Sequence, residues 1–265
     1  MTGDDAPPVG PHPGGLGAAA HVFVDDLDDP GLGPDDRRHL VQVLRLRAGE
    51  VVVASDGRGR WRPCRFVGTT LRGPAPERVL EPDGDLVFCP PEGPEVTVAF
   101  VPVKGDRPEW AVQKLTEAGV DRIVVLRSVR AVVQWEGERL TRALERLRRV
   151  AREAAAQSRR AWLPDVAGVG SLDDLARLVA PVSLGLAHPG GRPPGLDVPA
   201  LAVGPEGGWD PSESGGGRPL VGLGPHVLRA ETAAVAAGLL LCALRSGVVG
   251  PREAPRPGAP GVPGA

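Results

Sequence analysis

Cysteine is scarce. Cys64, Cys89 and Cys242 lie far apart, their number is odd, and no pair has the spacing of a metal ligand set or a disulfide framework. A disulfide-stapled secreted fold is excluded on this ground, and a reducing, cytosolic compartment is expected. The five histidines, His12, His21, His39, His188 and His226, form no HExxH-like cluster, so no metal site is expected. Long apolar runs are also missing. The most apolar stretch, residues 238–244, falls far short of the roughly 20 residues that a membrane-spanning helix needs. Residues 1–20 hold Asp4 and Asp5 where a secretory signal is basic, and no apolar segment follows them, so a signal peptide is not expected. Lysine is nearly absent: Lys104 and Lys114 are the only ones among 31 basic residues. With a formal net charge of −2, the molecule as a whole does not attract nucleic acid, and any such binding requires a local basic patch.

What is present is ordinary globular composition, 42% hydrophobic and 24% charged, enough for one large domain or two modest ones. Residues 1–20 and 250–265 are rich in Gly, Pro and Ala and are expected to be disordered tails. Between residues 21 and 89 the pattern is short and β-rich, with strands expected at 21–24, 51–55, 61–67 and 78–80. Asp56-Gly57 reads as a two-residue hairpin turn. A short helix over 37–46 should bury Leu40, Val43 and Leu44 on one face. A small β-barrel-like domain accounts for this region. The proline-dense stretch 90–94 reads as a linker, because neither a helix nor a central strand tolerates it.

From residue 95 to 249 strand and helix patterns alternate, the signature of a mostly parallel sheet covered on both faces. Strands are expected at 96–103, 122–126, 182–186, 200–203 and 220–223. Helices are expected at 108–118, with Gly119 as the stop, and at 136–160, 172–179 and 228–244. On the long helix, Leu140, Leu144, Leu147, Ala151 and Ala154 fall on one face. Arg139, Arg142, Arg146 and Arg149 fall opposite, continued by Glu153, Gln157 and Arg160. A solvated face explains such a row, but guanidiniums are also suited to bidentate phosphate contacts.

Gly204-Pro205-Glu206-Gly207-Gly208 follows an apolar strand, and glycines at the carboxyl end of a parallel strand let a ligand approach the backbone. Neither a GxxxxGK[ST] loop nor a GxGxxG fingerprint occurs, which disfavours a dinucleotide cofactor. A second strand–turn–helix corner spans residues 222–232. Arg229 is expected in the first helical turn there, where a cation opposes the helix dipole, and a functional reason for it is inferred.

The segments Lys104-Gly105-Asp106-Arg107, Gln113-Lys114, Glu117-Ala118-Gly119-Val120, Glu153 with Gln157-Ser158, residues 204–208 and residues 223–233 resemble, in order and spacing, the 16S ribosomal RNA uracil N3-methyltransferase family. The likeness covers roughly residues 21–246. It implies an α/β protein with a PUA-like RNA-binding β-barrel followed by a SPOUT domain with a C-terminal trefoil knot. It also implies S-adenosyl-L-methionine as cofactor, a homodimer, and 16S ribosomal RNA or the small ribosomal subunit as partner. Cofactor contacts are then expected from Leu186, His188, Gly204, Pro205, Glu206, Gly207, Gly208, Leu223, Gly224, Val227 and Leu228. Catalytic roles are expected for Arg229 first, Arg130 second and Glu206, with Glu206 and Glu231 both open as bases or as structural carboxylates. RNA contacts are expected from Arg45, Lys104, Lys114, Arg142, Arg146, Arg149 and Arg160. The chain departs from the family pattern in carrying His21 where a basic residue is usual, in keeping only Arg130 of a Glu-Arg-Ser-like step, and in placing Pro108 early in a helix. Two other readings remain: a related knotted methyltransferase acting on ribose 2′-oxygen or tRNA, and a non-catalytic PUA-type RNA-binding protein.

Overall fold

The computed structural model describes residues 7–68 and 79–250. Their backbone forms two sheets. The first holds β1 (Ala20–Phe23), β2 (Val51–Ser55), β3 (Arg60–Phe66) and β4 (Leu80–Pro82) in that order, with β5 (Val87–Phe88) also paired to β3. Its core gathers Val22, Leu40, Val52, Ala54, Phe66 and Leu80. Of the strand expected at 78–80, residue 78 lies outside the described residues, as do residues 1–6 and 251–265 of the two expected tails.

Three expectations for this half are corrected. Residues 7–20 are not a free tail. Gly10 donates to the Phe88 carbonyl, Phe88 donates to Pro8, and the Trp61 indole donates to Pro11, so the segment satisfies backbone groups along β5 that an edge strand leaves open. The turn at Asp56 is longer than two residues: Asp56 N donates to Arg60 O, the Asp56 carboxylate accepts from Arg58 and Arg60, and the left-handed positions are Gly57 and Gly59. The helix expected over 37–46 is α1 (Pro34–Arg38) followed by a π turn at His39–Val43. That wider winding breaks the 100° step, so Leu40 is fully buried while Val43 is 63% and Leu44 42% exposed.

The second sheet has six strands in the order β11-β9-β10-β6-β7-β8, and every neighbouring pair is parallel. They are β6 (Thr97–Phe100), β7 (Arg122–Leu126), β8 (Asp165–Val169), β9 (Leu184–Arg192), β10 (Ala200–Val203) and β11 (Leu220–Val221). Alternate side chains of one strand enter different cores. Val98, Ile123, Val125 and Leu201 pack beneath α2 (Arg107–Ala118), α3 (Gly137–Gln157) and α6 (Ala230–Arg245), whereas Ala99, Val124, Leu126 and Ala202 pack against α4 (Leu172–Val179). Burial on both faces explains why these strands read as continuous apolar runs. A one-turn helix, α5 (Pro211–Ser214), starts with a capping box between Asp210 and Glu213. Gly119 ends α2 in the left-handed region, as its position after the apolar run predicts. Pro108 is accommodated in the first turn of α2.

The end of α3 and the segment that follows it join the two sheets. Arg152 donates to the Phe23 carbonyl at 2.6 Å and lies over the Phe23 ring, Arg159 donates to Ala18, and Trp162 donates to Cys89. A methyl group on Gly57 would strike Leu163 and one on Gly59 would strike Trp162, so the hairpin turn needs glycine to seat against this segment. Residues 90–94 form no helix or strand, yet Glu92 and the Pro94 carbonyl both engage Arg245, whose guanidinium also pairs with Asp121.

His21 does not stand in for a surface cation. It is 6% exposed, its Nε2 lies 2.7 Å from Ser55 Oγ, and burial followed by repulsion from Arg159 and Arg152 pushes its pKa down to about 3. The folded value lies below the unfolded one, so the neutral ring contributes its full stability above about pH 6.5 and loses it as the pH falls toward about 3. Within that window urea titrations should show the parent losing up to about 1.4 kcal/mol per pH unit more than His21→Gln. Parallel pH profiles for the two proteins would contradict this.

Candidate functional site

Parallel pairing aligns the carboxyl ends of β9, β10 and β11 on one edge, where α/β sheets bind ligands. A cleft of about 540 Å³ opens there, walled by Ala187, His188 and Pro189, by Val203–Pro205 with Glu206, Gly208 and Trp209, and by Leu220, Leu223, Gly224, His226, Val227, Leu228, Ala230 and Ala233. Its volume suits a small-molecule ligand, and its walls are largely apolar. Of the residues expected to bind a cofactor, His188, Gly204, Pro205, Glu206, Gly208, Leu223, Gly224, Val227 and Leu228 are brought together here.

Leu186 is not among them. Its side chain is fully buried in the core beneath α4, because period-two alternation turns it away from its neighbour Ala187. Gly207 does not line the cleft either. It has no left-handed φ, and a methyl group there would meet nothing within 4 Å. The demanding positions are Gly208, at φ +71°, and Gly204, where a methyl group would lie 2.9 Å from the Trp209 ring. Trp209 and His226 were not singled out from the sequence. Trp209 follows the glycine pentapeptide directly, and its buried Nε1 has no hydrogen-bond partner.

The charged residues around the cleft divide into braced and free. Arg130 donates to the Gly207 carbonyl at 3.3 Å and pairs with Asp210, so it holds the glycine turn in place. Serine and arginine contacts lower the Asp210 pKa, its hydrogen bonds from Ser212 first. Arg107 lies 3.9 Å from Glu206 and 3.6 Å from Glu231, tying the start of α2 to both glycine corners. Glu231 is the better shielded carboxylate, 11% exposed, and its second oxygen has no partner.

Arg229 is the residue before α6, with extended backbone at φ −63° and ψ 154°, and not part of the first turn as expected. It is exposed and lies between the cleft residues Leu228 and Ala230; its carbonyl accepts from Ala233 N, but its side chain makes no hydrogen bond or ion pair among the described residues. The fold makes no visible use of its guanidinium.

On α3, Arg139, Arg142, Arg146 and Arg149 are all exposed, and the opposite face buries Ala143, Leu147, Ala151 and Ala154, with Leu140 and Leu144 partly covered. Arg142 pairs with Glu138 and Arg146 with Glu109 of α2. Arg160 leaves this row. Its side chain is 12% exposed and donates to the Thr116 and Val120 carbonyls, satisfying the end of α2, so it is structural. Lys114 is held by Glu117, whereas Lys104 is exposed beside the start of α3. Arg45 is exposed and left-handed at φ 55°, the position where a helix end usually takes glycine. Among the described residues no group of metal-binding side chains occurs, and no helix there is long and apolar enough to cross a membrane.

The fold thus presents a small-molecule cleft at the ends of a parallel sheet together with a helix face lined with arginine. Residues 91–241 match the family model described as an RNA methyltransferase domain, and residues 32–70 match the RNA methyltransferase PUA domain. The class is therefore that of RNA methyltransferases. The ribosomal RNA small subunit methyltransferase E of Mycobacterium bovis is 38% identical over 235 residues, covering 81% of this chain and 88% of its own length. The protein of that name from Bacillus subtilis is 26% identical over 219 residues, covering 75% and 84%. Among solved structures, a putative methyltransferase of Legionella pneumophila, in complex with the bound cofactor SAM, aligns at TM-score 0.70 and 27% identity over 84% of this chain and 96% of that one. The chain belongs to the ribosomal RNA small subunit methyltransferase E family.

The packing of Gly204 yields a test. Gly204→Ala should displace the Trp209 ring and shift its fluorescence emission, while Gly207→Ala should leave emission unchanged. Equal spectra for both variants would contradict the assignment of Gly204 as the close-packed position.

Proposed function

We propose that this protein transfers a methyl group from S-adenosyl-L-methionine to N3 of a uridine in 16S ribosomal RNA, acting on the small subunit as a homodimer whose C-terminal region is threaded as a trefoil knot. The observation that carries the cofactor assignment is the convergence of three strand ends on one apolar, glycine-cornered cleft. Its residues fit the group. Val203, Leu220, Leu223 and Val227 offer apolar walls for an adenine, left-handed Gly208 and Gly224 keep the main chain free of side chains, and Trp209 Nε1 is an unspent buried donor.

When bound, the cofactor supplies an electrophilic methyl group. The chain's residues must then orient the uracil and favour loss of its N3 proton, which spreads negative charge onto the ring oxygens. Arg229 is assigned to that charge, because a guanidinium at the mouth of the cleft, desolvated once substrate covers it, stabilises a developing negative charge. That its guanidinium has no partner among the described residues supports this role. Arg130 braces the glycine turn through Gly207 and is assigned to positioning. Glu206 and Glu231 are assigned to holding Arg107 between the two corners. Arg142, Arg146, Arg149, Lys104 and Arg45, exposed on the two sheets' helical and turn segments, are assigned to RNA phosphates.

Arg229→Ala should slow single-turnover methyl transfer to small-subunit particles by about a hundredfold or more, with cofactor affinity by calorimetry little changed. Arg229→Lys should restore only part of the rate, since an ammonium lacks the planar fork. Gly208→Val should instead weaken cofactor binding, because valine resists the left-handed backbone. A normal rate in Arg229→Ala would remove the residue from catalysis, and absence of cofactor binding to the parent protein would end the methyltransferase assignment.

A further inference from the structure

A second cavity, of about 630 Å³, opens beside the cleft between the loop after β6 and the first turns of α3. Lys104, Gly105, Trp135, Arg139 and Arg142 face it. The loop that carries Lys104 runs directly into Arg107, the first residue of α2, which Glu206 and Glu231 hold at the corners of the cleft. Three residue steps span no more than about 11 Å, so the two cavities are neighbours across one loop.

The environment of Trp135 differs from that of most other tryptophans. Trp61 and Trp162 donate their indole N–H groups to the Pro11 and Cys89 carbonyls and are structural, and Trp209 belongs to the cleft. Trp135 packs partly on the core beneath α2 and α3, and among the described residues no other ring stacks on it and no guanidinium lies over it. The cations around it are unequally committed. Glu138 answers Arg142, but Lys104 and Arg139 have no ion pair among the described residues. A partly exposed indole beside two uncommitted cations is chemistry that holds an unstacked nucleotide: a π face for the base and positive charge for its phosphate. An acidic peptide would use the cations and leave the indole without a role.

We propose that this cavity receives an unpaired nucleotide of the substrate RNA adjacent to the one presented to the cleft, its base stacked on Trp135 and its phosphate between Lys104 and Arg139. The inference rests on the RNA-methyltransferase reading of the cleft. It makes Trp135 a determinant of which RNA conformations are accepted, since only a locally unpaired strand can enter.

The test is binding of a fluorescent single-stranded RNA oligonucleotide to the full chain without cofactor, followed by anisotropy across a range of salt concentrations. Trp135→Ala should weaken binding by about tenfold with an unchanged salt slope, and Trp135→Phe should retain most of the affinity. Joint substitution of Lys104→Ala and Arg139→Ala should reduce the salt slope by roughly 0.7, the share of the one phosphate that they hold together on a single strand. Because Trp135 also touches the core, a second readout uses the unaltered protein: photocrosslinking of an oligonucleotide containing 5-iodouridine should label the peptide that contains Trp135. Parent-like binding by Trp135→Ala, or crosslinks confined to other segments, would overturn the proposal. A loss seen only in the Lys104 and Arg139 variant would reduce the cavity to a general anion site and overturn it as well. Cofactor calorimetry on the same preparations reports separately on the methyltransferase reading, so the two failures are distinguishable.

Discussion

The constraint on which the molecule depends is the all-parallel pairing of its six-stranded sheet. Parallel neighbours place all their carboxyl ends on one edge, and the order β11-β9-β10 sets three of those ends side by side. A cleft can form only where the backbones leaving those strands diverge. Glycine is required at the points of closest approach, at Gly204 beneath Trp209 and at Gly208 in its left-handed turn. The interior of the sheet is sealed on both faces by helices, which leaves that edge as the place where ligand chemistry can occur.

The long helix α3 links this chemistry to the first sheet. Its buried face is part of the main core, its exposed face carries the arginine row, and its last turns and the residues just after them supply Arg152 and Arg159 to the carbonyls of Phe23 and Ala18. Burial of His21 against the same two arginines requires a neutral imidazole, so this contact relies on packing and hydrogen bonding where ion pairing would be impossible. The position of the first sheet relative to the cleft is thus governed by the helix that also presents the cations.

Much of this was legible in residue order, and the misses have physical causes. Strands 51–55, 122–126 and 200–203 and the helix at 172–179 have the expected bounds, because each is a short apolar or amphipathic run closed by breakers. The strand β8 escaped notice since Asp165, Ala167 and Gly168 dilute its apolar signal, and pairing with β7 makes it a strand. Val43 and Leu44 were misplaced because a π turn changes the angular step, which no hydrophobic pattern announces. At the site, the glycine corners were visible as composition, but whether Gly207 or Gly208 carries the left-handed turn, and which side of β9 Leu186 faces, depends on the local backbone path and register. Arg160 looked like the last member of a basic stripe until its carbonyl partners on a neighbouring helix became visible. Arg107 and Trp209 gain significance only through tertiary contacts distant in sequence.

The central claim is that the cleft at the ends of β9, β10 and β11 directs methyl transfer to a uracil ring nitrogen of ribosomal RNA. The most direct measurement is nucleoside mass spectrometry of small-subunit RNA isolated from cells lacking this protein, after incubation of the particles with the purified chain and isotopically labelled S-adenosyl-L-methionine. Label recovered in 3-methyluridine from 16S RNA is the predicted result. Label recovered in a 2′-O-methylated nucleoside, or no incorporation by a folded protein that binds the cofactor, would contradict it.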